Sequence, residues 1–470
     1  MRFYKKLYTN FYLNVLYTML SNIIPFAVSV LSILVIPKVT TLDSYGQWQY
    51  FLFCFSFVGC FHFGWLDGIY LRYVGEKYEN LLSTLIPKQF IYFFLFETIC
   101  SVVCYFFALI IIDDLEKRAA VIAVLFLLPI ANYNSMINII FQATSRFKTY
   151  AKVTILEPLM FLTICCAMYF SVNLSYSTLL IAKTISLLAV FGASILLSKD
   201  ITIFSLNNFR ENIVDIIINI KIGFKLLISN LSNMIILGVI RYGISIGWDL
   251  KVFGKVSLTL TISNFFLMFI NAISVVLTPY VKNKSIDVQK DIYLALRSCL
   301  NWSVYFLLSF FYPLKVLLIH WLPTYADVIP YIAVIFPICV FESRMGLLIN
   351  TYYKALRKES AMLTINFIVF ILAIILTVIS IGYFQSLLIS FISIIVTLGV
   401  RCTIFEFFLL HFWKLVNYKY IFIDVILTSA FVYFNYNFSS ILGTIYYFGL
   451  YLVLLILNIK TICYEYNRIR

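Results

Sequence analysis

Charge is what this chain has least of. Among its 470 residues only 12% are Asp, Glu, Lys or Arg, 63% are apolar, and the mean hydropathy is +0.97. Too little polar surface is left to cover a water-soluble globule, so the chain reads as an integral membrane protein. Histidine is scarcer still: His62, His320 and His411 are the whole supply, none beside a cysteine at ligand spacing, and no metal site is expected. The ten cysteines sit almost all inside apolar runs, where a thiol behaves as a small hydrophobe, so no disulfide is expected either. Period-2 alternation is missing, which excludes an outer-membrane barrel. A glycine-rich phosphate cradle and a nucleotide-binding domain are missing too, which excludes ATP hydrolysis by this chain. No cofactor is called for.

What is present is a succession of apolar runs of about 17–25 residues, the length a helix needs to cross roughly 30 Å of hydrocarbon. The spans lie near 13–36, 47–68, 89–112, 119–141, 153–171, 177–197, 222–247, 256–280, 292–312, 328–350, 361–382, 385–410, 419–435 and 440–458. That makes about fourteen transmembrane helices in an all-α polytopic chain. Of the 35 Lys and Arg, twenty-five fall on the side of the N-terminus, six on the other side and four within spans. This asymmetry puts both termini in the cytoplasm and accounts for most of the +14 formal charge, reinforced by attraction to anionic lipid; nucleic acid is not a partner the charge requires.

The plan is two-fold. Leu226 to Val281, shifted back by 208 positions, lies without a gap on Thr18 to Tyr73, with Ser229-Asn230 on Ser21-Asn22 and Phe253-Gly254 on Tyr45-Gly46. Such internal repetition of span and turn lengths argues for two related halves. The organisation expected is a six-helix lobe over 1–200, a linker over 201–221, a second six-helix lobe over 222–412, and two extra C-terminal helices with a tail over 413–470. In the linker, Asn208, Glu211, Asn212, Asp215 and Asn219 recur at three and four with isoleucines between them, which predicts an amphipathic helix in the cytoplasmic interface.

These residues resemble the polysaccharide-exporting flippases of the multidrug/oligosaccharidyl-lipid/polysaccharide exporter superfamily, in particular the Wzx-type O-antigen flippases. The resemblance rests on Leu42-Asp43-Ser44-Tyr45-Gly46-Gln47-Trp48, on Gly68 to Val74, on Gln142-Ala143 with Arg146-Phe147-Lys148, and on the recurrence of Phe253-Gly254. It implies two lobes around a central cavity that opens alternately to either side. The cargo implied is a polyprenyl-diphosphate-linked oligosaccharide, an O-antigen or capsule repeat unit, carried to the outer leaflet of the bacterial cytoplasmic (inner) membrane. A polysaccharide polymerase and a chain-length regulator are the implied protein partners. Where the family carries an acid-basic pair early in the seventh span, this chain has Asn233-Met234, and its one charge beyond Lys225 at the span's start is Arg241.

Charges inside a span cost a few kcal/mol each, so they face a bundle interior or a water-filled cavity. Here they are Glu97, Glu157, Lys183, Arg241, Glu342, Arg344, Arg401, Glu406 and Asp424, with His62, Asp67 and Arg72 along the second span. For a diphosphate cargo the candidate contacts are Arg241, Arg344, Arg72, Lys183 and Arg401, whose donors suit phosphate oxygens, together with Asp67 and His62. Glu97 and Glu342 are candidates for ion coupling. The competing reading is that each is paired to another side chain or snorkels to the interface. Glu342 and Arg344 are two apart, and Arg401 and Glu406 five apart, so any partners come from other helices. Glu157, before Pro158, reads as part of a kinked helix start. Two other functions remain in view: a drug or cation antiporter, which would need a compact acidic site, and an oligosaccharide polymerase, an enzyme that would need a large extracytoplasmic loop. The one acidic cluster on that side, Asp113-Asp114-Leu115-Glu116, lies in a short loop.

Overall fold

The computed structural model describes residues 2–171, 173–201, 209–264, 285–356, 358–415, 419–438 and 440–467. Among these every regular element is helical, which is what lipid requires of a spanning chain that is not a closed barrel. Eight helices are long and apolar enough to cross a bilayer, and up to twelve spans result if each of four bent helix pairs counts as one. These twelve fall on twelve of the expected spans. The thirteenth is the helix Lys419–Asn437, and the eighth, expected over 256–280, lies for the most part outside the described residues.

The chain divides into two compact units, Met1–Leu231 and Ser232–Arg470. The first contains α1 (Arg2–Val39), α2 (Leu42–Phe55), α3 (Trp65–Tyr73), α4 (Tyr78–Leu81), α5 (Ile86–Ile111), α6 (Leu115–Ala143), α7 (Phe147–Ser171), α8 (Tyr176–Leu197) and the first part of α9 (Phe209–Gly247). α1 and α8 both pack on α7, and α5 on α6. Asp114 starts α6 by accepting from the amides of Glu116 and Lys117, and Ser175 and Thr178 cap α8 reciprocally. The second span is broken: after the 3₁₀ turn Val58–His62 the chain passes through Phe63 (φ 48°) and Gly64 (φ 88°), and α3 leaves at 59°. Glycine takes that left-handed step without a steric penalty.

The amphipathic helix expected in the linker is present over residues 209–221, with its polar side against the protein and its apolar side outward. Asn212 and Asn219 are fully buried, whereas Val214, Ile217 and Ile218 are exposed. Here the polar side has inner partners, set out below, and Ile216 joins the apolar core of Trp65, Leu66, Ile69, Phe90 and Phe141.

The second unit holds the end of α9, α10 (Leu250–Asn264), α11 (Ile286–Leu308), α12 (Phe311–Trp321), α13 (Ile329–Ile335), α14 (Ile338–Arg344), α15 (Asn350–Ala355), α16 (Glu359–Val378), α17 (Leu387–Phe412), α18 (Lys419–Asn437) and α19 (Ile441–Asn467). The span over 323–353 bends by 45° at Phe336-Pro337, where proline removes a helical hydrogen bond. A π-helical turn, Met345–Ile349, follows Arg344 directly. Of the two C-terminal helices, α18 packs on α13 and α19 on α11.

Candidate functional site

In the first unit the candidates fall into separate clusters. Arg72, near the end of α3, gives hydrogen bonds from Nη1 to Asp215 Oδ1 (2.8 Å) and Asn219 Oδ1 (2.6 Å) on α9. Gln89 of α5 joins them, donating to Asp215 Oδ2 (2.6 Å) and accepting from Trp65 Nε1 (2.9 Å) and Asn219 Nδ2 (3.2 Å). The backbones meet closely at this crossing. A Cβ added to Gly68 would stand 1.9 Å from the Asn219 carbonyl oxygen, and one on Gly223 would stand 1.9 Å from that of Gly64. Only glycine permits the approach.

His62 Nδ1 accepts from the Gly64 amide (3.2 Å), which leaves its proton on Nε2, 4.0 Å from Asp67 Oδ2. Glu97 of α5 is fully buried and accepts from Asn132 Nδ2 of α6 (2.9 Å), which also donates to the Val58 carbonyl (3.0 Å). Its other oxygen, Oε1, has no hydrogen-bond partner. Lys183 of α8 is ion-paired with Glu157 of α7 and lies over the Phe55 ring. Glu157 therefore does more than open a kinked helix, because α7 runs unbroken through Pro158.

In the second unit Arg344 is 2% exposed and holds two carboxylates: Asp424 at 2.6 Å and 2.9 Å, and Glu406 at 3.1 Å. Arg297 of α11 pairs with the other oxygen of Glu406 and stacks over Tyr420. Two cations thus meet two carboxylates, all buried. Neutral groups complete the cluster. Asn301 donates to Asp424 and accepts from Arg344, Tyr305 and Tyr293 donate to Asp424 and Glu406, and Ser298 and Tyr420 donate to Glu465 of α19. Arg401 of α17 faces Glu342 of α14 at 3.6 Å and donates from Nε to Asn366 Oδ1 (3.1 Å). Arg241, half-buried on α9, donates from Nη2 to Ser257 Oγ of α10 (2.9 Å) and lies over the Phe253 ring.

Within each unit the candidates do not converge on one point. His62 and Asp67 come together, Arg401 and Glu342 come together, and Arg72, Arg344 and Lys183 each face a carboxylate not among the candidates. The groups the sequence reading passed over are Arg297, Ser298 and Tyr305. Their spacing along α11 put a polar stripe on one helix face inside an apolar run, a signal that was there to be used. Gln89, also passed over, carries no such pattern. A surface depression of about 360 Å³, walled by Trp302, Phe306 and Tyr451, includes none of the candidates.

Compared by sequence, the chain matches no family model and no curated protein. Compared by structure, it is similar to the lipid II flippase MurJ in an inward closed conformation, with a TM-score of 0.63 and 13% identity over 96% of this chain and 99% of that one. It is also similar to the inward-facing conformation of a multidrug resistance MATE family transporter of the MOP superfamily, with a TM-score of 0.59 and 12% identity over 88% of this chain and 94% of that one. Identity this low carries the fold and nothing finer: the chain is an all-α polytopic membrane protein with the fold of these MOP-superfamily transporters.

Proposed function

We propose that the protein is a flippase that moves a polyprenyl-diphosphate-linked oligosaccharide, an O-antigen or capsule repeat unit, to the outer leaflet by exposing its binding site to the two membrane faces in turn. The observation that carries the reading is the fold likeness to a lipid flippase over 96% of the chain, joined to the resemblance in Leu42 to Trp48 and Gly68 to Val74. Arg241 is the proposed diphosphate contact. Apart from Lys225 at the very start, it is the one charge in its expected span, 222–247, and a guanidinium offers phosphate a fork of donors. Glu97, with one oxygen unpartnered, is the proposed coupling group. The proposed protein partners are a polysaccharide polymerase and a chain-length regulator in the bacterial inner membrane.

Arg241→Ala is expected to abolish surface polysaccharide while protein level stays normal, and Arg241→Lys to restore part of it, because an ammonium keeps the charge and loses the fork. Normal polysaccharide in Arg241→Ala cells overturns the assignment. A second reading, a drug or cation antiporter, is favoured by the likeness to the multidrug transporter. Deletion of the protein separates the two: loss of surface polysaccharide with unchanged drug susceptibility supports the flippase, and the reverse supports the antiporter.

A further inference from the structure

We infer that the outward side of residues 209–229 is a docking surface for anionic phospholipid headgroups in the leaflet on which the basic loops lie. The inner side of this helix segment is held in place. Arg72 and Gln89 bind Asp215 and Asn219, and the glycine crossing at Gly64, Gly68 and Gly223 admits no side chain between the backbones. The segment cannot roll about its own axis without breaking those contacts, so its other side is presented permanently.

That other side is of mixed character. Val214, Ile217, Ile218 and Ile222 are 41–54% exposed, an apolar surface that water would disfavour by about 25 cal/mol per Å². Set among them are the exposed cations Arg210, Lys221 and Lys225, against one exposed acid, Glu211. Apolar side chains immersed at the acyl boundary, with Lys and Arg reaching up to headgroup level, are how an interfacial helix binds a charged leaflet. Zwitterionic lipid would satisfy the isoleucines and leave the cations without counter-charge. Anionic headgroups satisfy both. Each cation near such a surface is worth about 1 kcal/mol, a factor of roughly five in local lipid preference. The surface does not depend on what the protein transports, so failure of the flippase reading leaves it standing.

The test places the photo-crosslinking residue p-benzoylphenylalanine at Ile218 of the full chain, in bilayer nanodiscs of phosphatidylglycerol and phosphatidylcholine in equal amounts, and identifies the lipid adducts by mass spectrometry. The same residue at Ile110, 78% exposed in α5, reports ordinary acyl-chain contact. The expected result at Ile218 is an excess of phosphatidylglycerol adducts on the order of tenfold. That excess should fall towards one in the Arg210→Gln, Lys221→Gln, Lys225→Gln triple variant, and also in about 0.5 M salt, which screens charges beyond a few Å. Equal labelling of the two lipids in the native chain overturns the inference. So does an excess that survives the triple variant, or crosslinking at Ile218 to protein alone while Ile110 captures lipid.

Discussion

Arg72 in the first unit and Arg344 in the second are arginines embedded in apolar sequence, and they are held in opposite ways. Arg72 keeps 27% of its side chain exposed and meets one carboxylate, Asp215. Around it the helices are fixed by glycine contacts that need no charge at all. Arg344 is 2% exposed and meets two carboxylates from two helices. A cation in the first setting can lose its partner to water, whereas in the second it has nowhere to go, and removing one partner strands the other. The first unit is therefore expected to rely on shape where the second relies on charge balance.

The largest test of that contrast is Arg344→Ala, which leaves Asp424 and half of Glu406 uncompensated. It is expected to cost about 3–5 kcal/mol, read as loss of the protein from the membrane or a steep drop in thermal stability in detergent. Replacing Arg344 and Asp424 together by apolar residues of similar size should fall closer to the native chain than either single change. If the singles are silent, charge balance is not what holds the second unit.

Next comes Gly68→Ala, where the added methyl meets the Asn219 carbonyl. Overpacking of this kind costs about 1–3 kcal/mol. Gly192→Ala on α8, whose Cβ would meet nothing within 4 Å, should be neutral or stabilising by up to about 1 kcal/mol. Equal behaviour of the two variants would remove shape as the explanation for the first unit.

Arg72→Gln should cost less, about 1 kcal/mol, because its pair is partly wet and the glycine crossing stays intact. A loss as large as that of Arg344→Ala would erase the distinction between the units.

The smallest effect belongs to Asp114, an exposed cap outside both clusters. Burial alone would raise its carboxyl, but the Lys117 amide, the Lys117 ammonium and the Glu116 amide outweigh that and hold it below its ordinary 3.8. A lowered carboxyl contributes stability that is present above the ordinary value and is lost as pH falls through the lowered one. The stability difference between the native chain and Asp114→Ala, about 0.5 kcal/mol at neutral pH, should therefore shrink as pH falls below about 4. A difference that stays constant down to pH 3 or so would mean the cap does not act through its charge.

Much of the fold was legible in the linear pattern because lipid imposes a length. The spans over 89–112 and 385–410 reappear as α5 and α17 within a few residues, and Pro337 stands where its span bends. Partners were legible only by exclusion. Arg401 and Glu406, five apart, do not suit each other on one helix, and Arg401 in fact faces Glu342. That Lys183 would meet Glu157, or that Asn212 would turn inward and Ile217 outward, had no local signature. Helical periodicity says which residues share a side and is silent on which side is inner.

Apolar run length, basic-loop asymmetry and the repeat at 208 residues were determined by the sequence itself, since each follows from the cost of placing backbone and charge in hydrocarbon. Only the tertiary structure decided which carboxylate answers which cation. Asp424 and Arg344 are eighty residues apart, and nothing along the chain brings them together except the packing of α14 and α17 to α19. A buried ion pair is a property of that packing, because its Coulomb energy depends on distance in space and its desolvation on what surrounds it.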